Sequence, residues 1–262
     1  SISWVGDVDV NQDGKNDSAR TADALWETSY EALFKSTREV IGDDYIMIVN
    51  GSSNPDFAPY VNGRMFETFP SSDNTLAEWE NMTDQYLELE QDVGYESVQV
   101  INVNTENTGD DENYQKVRFG ITTTLLGNGF FAFDYGTENH SQLWTYDEYD
   151  TYLGSPKGDL QNTLNPQDTE IDDGVWMRDF EQGAVIVNAT ASTQTVELDG
   201  EYEKLHGTQD MEINDGSIVS EITIASKDGI ILLRPIEEIL DAAFLNGAFA
   251  RVYNLEGETA RT

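Results

Sequence analysis

Five polar side chains stand at the ends of short apolar runs, where a rigid scaffold can present them. Asn50 closes "YIMIVN", Glu67 closes "GRMFE", Asn102 and Asn104 end "SVQVINVN", and Asp134 closes "GFFAFD". Two carboxylates and three amides make a set able to protonate a leaving oxygen, handle a sugar-like cation and bind hydroxyls. Glu67 is the stronger of the two carboxylates. Arg64, Phe66 and Phe69 surround it in sequence, and a carboxyl held against rings has its acid form favoured. The competing reading is a structural pair with an arginine. For Asp134 the competing reading is a strand-end cap.

His140, in "TENHSQLW", is read as a substrate contact against the plainer option of a structural histidine, and His206 has no evident partner. Trp4, Tyr60, Phe66, Tyr135, Trp144 and Tyr146 are aromatics that could stack on a sugar face, or simply pack. The expected catalytic pair is Glu67 and Asp134. Asn50, Arg64, Asn102, Asn104, Tyr135, His140 and Trp144 are expected to line the substrate.

"DVDVNQDGKND" resembles part of a calcium loop. Asp9, Asn11 and Asp13 take positions one, three and five, Gly14 makes the tight turn, Lys15 offers a carbonyl and Asp17 stands at nine. Position twelve, which should carry a bidentate Glu, is Arg20. The loop is therefore either an incomplete Ca2+ site or an Asx-rich turn that caps the next helix. No Walker loop or dinucleotide fingerprint is present, so no organic cofactor is expected.

The elements that must position these residues alternate in type. Residues 21–41 repeat apolar positions at three and four and stop at Gly42, giving a helix. "YIMIVNG" reads as a strand buried on both faces. "GRMFETF" follows as a strand, then a helix over 75–93 opened by the capping box Thr75-Leu-Ala-Glu78. "SVQVINVN", a helical face from Tyr114 to Leu125 and "GFFAFDYG" complete the pattern, which predicts a parallel sheet. After Gly174 short strands and turns predict a small antiparallel β-sandwich.

Composition narrows the function classes. Fifty acidic residues against fourteen basic ones give a net charge of −36, a field that repels phosphate backbones and anionic membranes. Nucleic acid is excluded as a partner, and no apolar run reaches the roughly 20 residues of a membrane span. Cysteine is absent, which removes disulfides, thiolate metal sites and thiol nucleophiles. The charge suits an extracellular or cell-surface setting; the oligomeric state is not readable.

The phrases "NGRMFETFP", "YQKVRFGITTTLLGNGFFAFDYG", "LWTYDEYDTYLGSPKG" and "GVWMRDFEQGAVIVN" resemble hypothetical glycosyl hydrolase family fifteen, over about Ser1 to Pro235. That resemblance implies an α/β fold, a TIM-type (β/α)8 barrel followed by a β-sandwich, and hydrolysis of glycosidic bonds. It sets Glu67 at a strand-six acid/base position and Asp134 at the end of strand eight. It also implies about four further strand-helix units, with the nucleophile's strand lying before Ser1. The expected organisation is the C-terminal half of a barrel over 1–153, a connection over 154–173, a β-sandwich over 174–235 and a tail over 236–262 leading to a further module. The expected function is hydrolysis of a polysaccharide or oligosaccharide. The rival readings are a non-catalytic carbohydrate-binding module and a calcium-stabilised surface module.

Overall fold

A computed structural model describes residues 8–51, 54–164 and 174–235. The chain forms two compact units. The first is drawn from residues up to Phe69, Asn81–Asn102 and Gly127–Ala132, and the second from Pro70–Glu80, Val103–Leu126 and the described residues from Phe133 onward.

In the first unit, α1 spans Ala19–Ile41. Ser18 caps it by accepting from the Thr21 N–H, and Gly42 ends it with φ 76°, a left-handed value that favours glycine. The buried Arg38 ties the end of α1 to its surroundings. It donates to the carbonyls of Tyr60, Gly42 and Tyr45 and to the Asn62 amide oxygen, at 2.7–2.9 Å. Its guanidinium also lies over the Tyr95 ring at 4.1 Å.

β1 (Ile48–Asn50) pairs in parallel with β2 (Gly63–Glu67), and β2 pairs in parallel with β3 (Val100–Asn104). β4 (Phe130–Asp134) completes a four-stranded sheet of order β1-β2-β3-β4. A 3-10 helix over Pro55–Tyr60 joins β1 to β2, and α2 (Leu76–Asp92) joins β2 to β3. The capping box opens α2 as expected, with the Thr75 N–H donating to Glu78 and the Glu78 N–H to Thr75.

One expectation fails in this sheet. β1 is not buried on both faces: Val49 is buried, but Ile48 and Asn50 are exposed, because β1 is an edge strand of only three residues. The strands follow chain order with β1 and β4 at the two edges, so among the described residues the parallel sheet is not a closed barrel. Trp26, Leu33 and Val40 recur every seventh residue of α1 and are all exposed.

The antiparallel region also differs from expectation. β5 (Pro156–Asn162), β6 (Val175–Phe180), β7 (Gly183–Asn188), β8 (Gln194–Lys204), β9 (Ile218–Ile224) and β10 (Asp228–Leu233) form one sheet of order β5-β6-β7-β10-β8-β9. The small β-sandwich is therefore corrected to a single six-stranded sheet. Part of the expected connection supplies β5, and β8 runs through Gly200. Register shifts between Lys157 and Gln161 and between Glu197 and Tyr202 interrupt the ladders.

Alternate residues bury one face of this sheet, among them Met177, Ile186, Val196, Ile222 and Leu232. Helix α3 (Tyr114–Leu125), capped by Asn113, packs on β7 and β10. Arg118 of α3 donates to both Asp228 oxygens at 2.9 and 3.0 Å and to Asp210 at 2.5 Å. A 3-10 helix over Asp147–Asp150 is tied in by Asp147, which accepts from the N–H groups of Thr208 and Gln209, and by Glu148, which accepts from Asn214. The stretch over 236–262 lies outside the described residues.

Candidate active site

Strand pleating decides what β2 offers. Successive side chains point to opposite faces, so Phe66 turns into the core while Glu67, the last residue of the strand, is exposed. Phe66 packs on Phe69 and edge-on to Tyr86, with the Arg64 guanidinium 4.3 Å from its ring centroid. Arg64 shares the pleat face of Phe66, not that of Glu67. It donates to Gln85 at 3.4 Å, and burial holds its pKa below the ordinary arginine value. The apolar surroundings expected of Glu67 are thus absent on the Phe66 side. Arg64 and Phe66 share a face because residues i and i+2 of a strand point the same way.

Glu67 has a different partner. Asn50, at the end of the neighbouring strand, donates its Nδ2 to Glu67 Oε2 at 3.1 Å. Glu67 lies in register with Asn102, which is buried and whose carbonyl accepts the Phe69 N–H. Parallel pairing thus brings Asn50 and Glu67 together at the carboxyl ends of β1 and β2, the end where α/β sheets carry their chemistry, with Asn102 of β3 in register beside Glu67. Asn50 and Glu67 are 17 residues apart, so only the strand register reveals that they meet.

The second unit contains a separate pair. Asp134 ends β4, and its Oδ2 lies 2.8 Å from His140 Nδ1. The Asp134 side chain is 14% exposed and that of His140 55%, so the imidazole reaches solvent while its orienting carboxylate is sheltered. His140 is therefore not a lone histidine, and the i, i+6 spacing gave no periodic signal for the contact.

The other expected residues divide differently. Asn104 is buried and accepts from the Glu106 N–H at 2.9 Å, so its side chain shapes the loop after β3. Tyr135 is half-buried, and its N–H donates to Gln142 Oε1. Trp144 packs against Phe133 at 5.7 Å, and Tyr146 is buried among Tyr114, Phe133 and Tyr149 with its hydroxyl donating to Asp111. Tyr60 donates to Glu31 at 3.3 Å, and His206 bonds Glu203 at 2.7 Å. Trp4 lies outside the described residues.

Two glycines that precede β4 have a packing reason. The Gly129 N–H donates to the Tyr86 hydroxyl at 2.7 Å, and a side chain at Gly127 or Gly129 would strike Tyr86.

The Asp9–Asp17 loop closes on itself. Asp9 accepts from the N–H groups of Asp13 and Gly14, Asn11 from Asp13, Asp13 from Lys15 and Asp17 from Val10, at 2.8–3.0 Å. Gly14 sits at φ 85° to allow the turn. The oxygens are of the type a hard cation takes. Among the described residues, however, no three carboxylate or histidine side chains are gathered to hold an ion, and Arg20 lies in the first turn of α1. The loop residues do not cap α1; Ser18 does that.

No curated protein matches the chain. A family model, by contrast, matches residues 2–184, a span that holds the four parallel strands, Asn50, Glu67, Asp134 and His140. The chain belongs to hypothetical glycosyl hydrolase family 15.

Proposed function

We propose that the protein is a glycoside hydrolase acting on an extracellular polysaccharide or oligosaccharide, with Glu67 as general acid/base. The observation that carries this reading is the Asn50–Glu67 pair, an exposed carboxylate held by an amide at the carboxyl ends of two parallel strands. Family membership supports a carbohydrate as substrate. As the C–O bond breaks, Glu67 gives its proton to the glycosidic oxygen, water supplies the hydroxyl to the anomeric carbon, and the proton that water releases returns to the Glu67 carboxylate.

Asp134 is the other carboxylate we assign to catalysis, with His140 able to hold or move a proton beside it. Asn50 and Asn102 are assigned to substrate hydroxyls near Glu67. The charge of −36 supports a secreted or surface location.

The test is release of reducing ends from a panel of polysaccharides. Glu67→Gln is expected to abolish release while leaving glycan retention intact, and unchanged turnover in that variant sinks the assignment. Retention without cleavage by the unaltered protein favours a non-catalytic carbohydrate-binding module instead.

For the Asp9–Asp17 loop we propose an Asx turn that holds its shape through its own hydrogen bonds, with calcium adding little. The hydrogen bonds from the loop's own N–H groups to Asp9, Asn11, Asp13 and Asp17 support this reading.

A further inference from the structure

Between α1, the end of β1 and the 3-10 helix over Pro55–Tyr60 lies an open cleft of about 180 Å³. Its wall is a chain of rings. Trp26 meets Tyr30 at 5.0 Å, Tyr30 meets Phe34 at 5.4 Å, and Phe34 meets Phe57 edge-on at 5.0 Å. Phe57 and Val49 are buried at the floor, whereas Trp26 keeps 37% of its surface exposed. The remaining lining is polar: Glu27, Asn50 and Asn54. Beside them Gly51, at φ 89°, has open space where a side chain would stand.

We infer that this cleft is a sugar subsite adjoining Glu67, in which Trp26 and Tyr30 stack on a pyranose face while Asn50 and Glu27 bind its hydroxyls. The match is chemical. A pyranose has an apolar C–H face and a rim of hydroxyls, and the cleft pairs aromatic faces with amide and carboxylate acceptors. Asn50 joins the cleft to the carboxylate. Its Nδ2 is committed to Glu67, while its Oδ1 is an acceptor on the same amide. A chain bound here would run from the aromatic wall toward Glu67. None of these aromatics was among those singled out by sequence position, because Trp26, Tyr30 and Phe34 follow helix spacing and read as a core stripe.

This subsite rests on the hydrolase reading, so the experiment separates the two. The full chain is titrated calorimetrically with cellohexaose, xylohexaose, mannohexaose, chitohexaose and maltohexaose, and reducing ends are measured in parallel. At least one hexaose should bind. Glu67→Gln should keep that affinity, Trp26→Ala should weaken it about tenfold or more, and Trp26→Phe should restore most of it. Binding of no hexaose, or equal affinity in Trp26→Ala, overturns the subsite. If circular dichroism shows Trp26→Ala unfolded, Glu27→Ala takes its place. A loss of about threefold or more is then expected, and unchanged affinity overturns the proposal. Trp26-dependent binding without reducing ends sinks the hydrolase and keeps the subsite; reducing ends without Trp26 dependence do the reverse. A change in self-association in place of affinity assigns the cleft to a protein interface and also overturns the proposal.

Discussion

Two carboxylates in the molecule are held in opposite ways. Asp228 is 4% exposed and meets Arg118, itself 3% exposed, through two hydrogen bonds, with Asp210 adding a third to the same guanidinium. Glu67 is exposed and is joined by one neutral amide. Burial pushes the Asp228 carboxyl up despite Arg118, whereas the two aspartates keep the guanidinium charged against the cost of its own burial. A buried charge needs its full complement of partners and is locked by them. An exposed carboxylate with one partner is free to exchange a proton with a ligand. The difference separates a structural ion cluster from a catalytic candidate more clearly than charge or position in sequence.

The largest effect should come from breaking the buried cluster. Arg118→Met leaves Asp228 uncompensated and is expected to cost about 3–5 kcal/mol in urea unfolding. Adding Asp228→Leu should recover much of that loss, and a single-variant cost below about 1 kcal/mol would show that the cluster does not hold α3 to its sheet. Glu67→Gln should behave in the opposite way. Stability should stay within about 0.5 kcal/mol while turnover falls about a hundredfold or more.

An intermediate case sharpens the contrast. Asp147 is half-buried, and although burial acts to raise its pKa, hydrogen bonds from Gln209 and Thr208 outweigh it and hold the carboxyl below its ordinary range. Because the folded value is depressed, its stabilisation is present above about pH 4 and is lost as pH falls through the lower folded value. Asp147→Ala should cost about 1–2 kcal/mol at neutral pH, with the gap to the unaltered protein narrowing in acid denaturation below about pH 4.

The smallest effect concerns the Asp9–Asp17 loop. Chelation should move the melting temperature by less than about 2 °C, since the loop's oxygens already accept from its own N–H groups. A fall of several degrees would restore calcium as a structural ion.

Local signals were sufficient wherever one element decides its own boundaries. The capping box at Thr75 and Glu78 marks the start of α2, Gly42 ends α1 and Tyr114–Leu125 is helical, because caps, stops and a 3.6-residue period act within a single turn or face. The polar strand ends at Asn50, Glu67 and Asp134 were legible for the same reason.

Tertiary structure decided which of those groups meet. Register placed Asn50 on Glu67, and the turn after β4 placed His140 on Asp134. Pleating removed Arg64 and Phe66 from the face of Glu67. Trp144 and Tyr146 became packing, whereas Trp26 on α1 became the exposed ring beside Asn50. Whether β1 closed into a barrel, and whether the C-terminal strands split into two sheets, depended on which edges found partners. Alternation, periodicity and caps are short-range and written in the order of residues. Pairing, register and the covering of a face depend on segments far apart in the chain, and only the folded molecule brings those together.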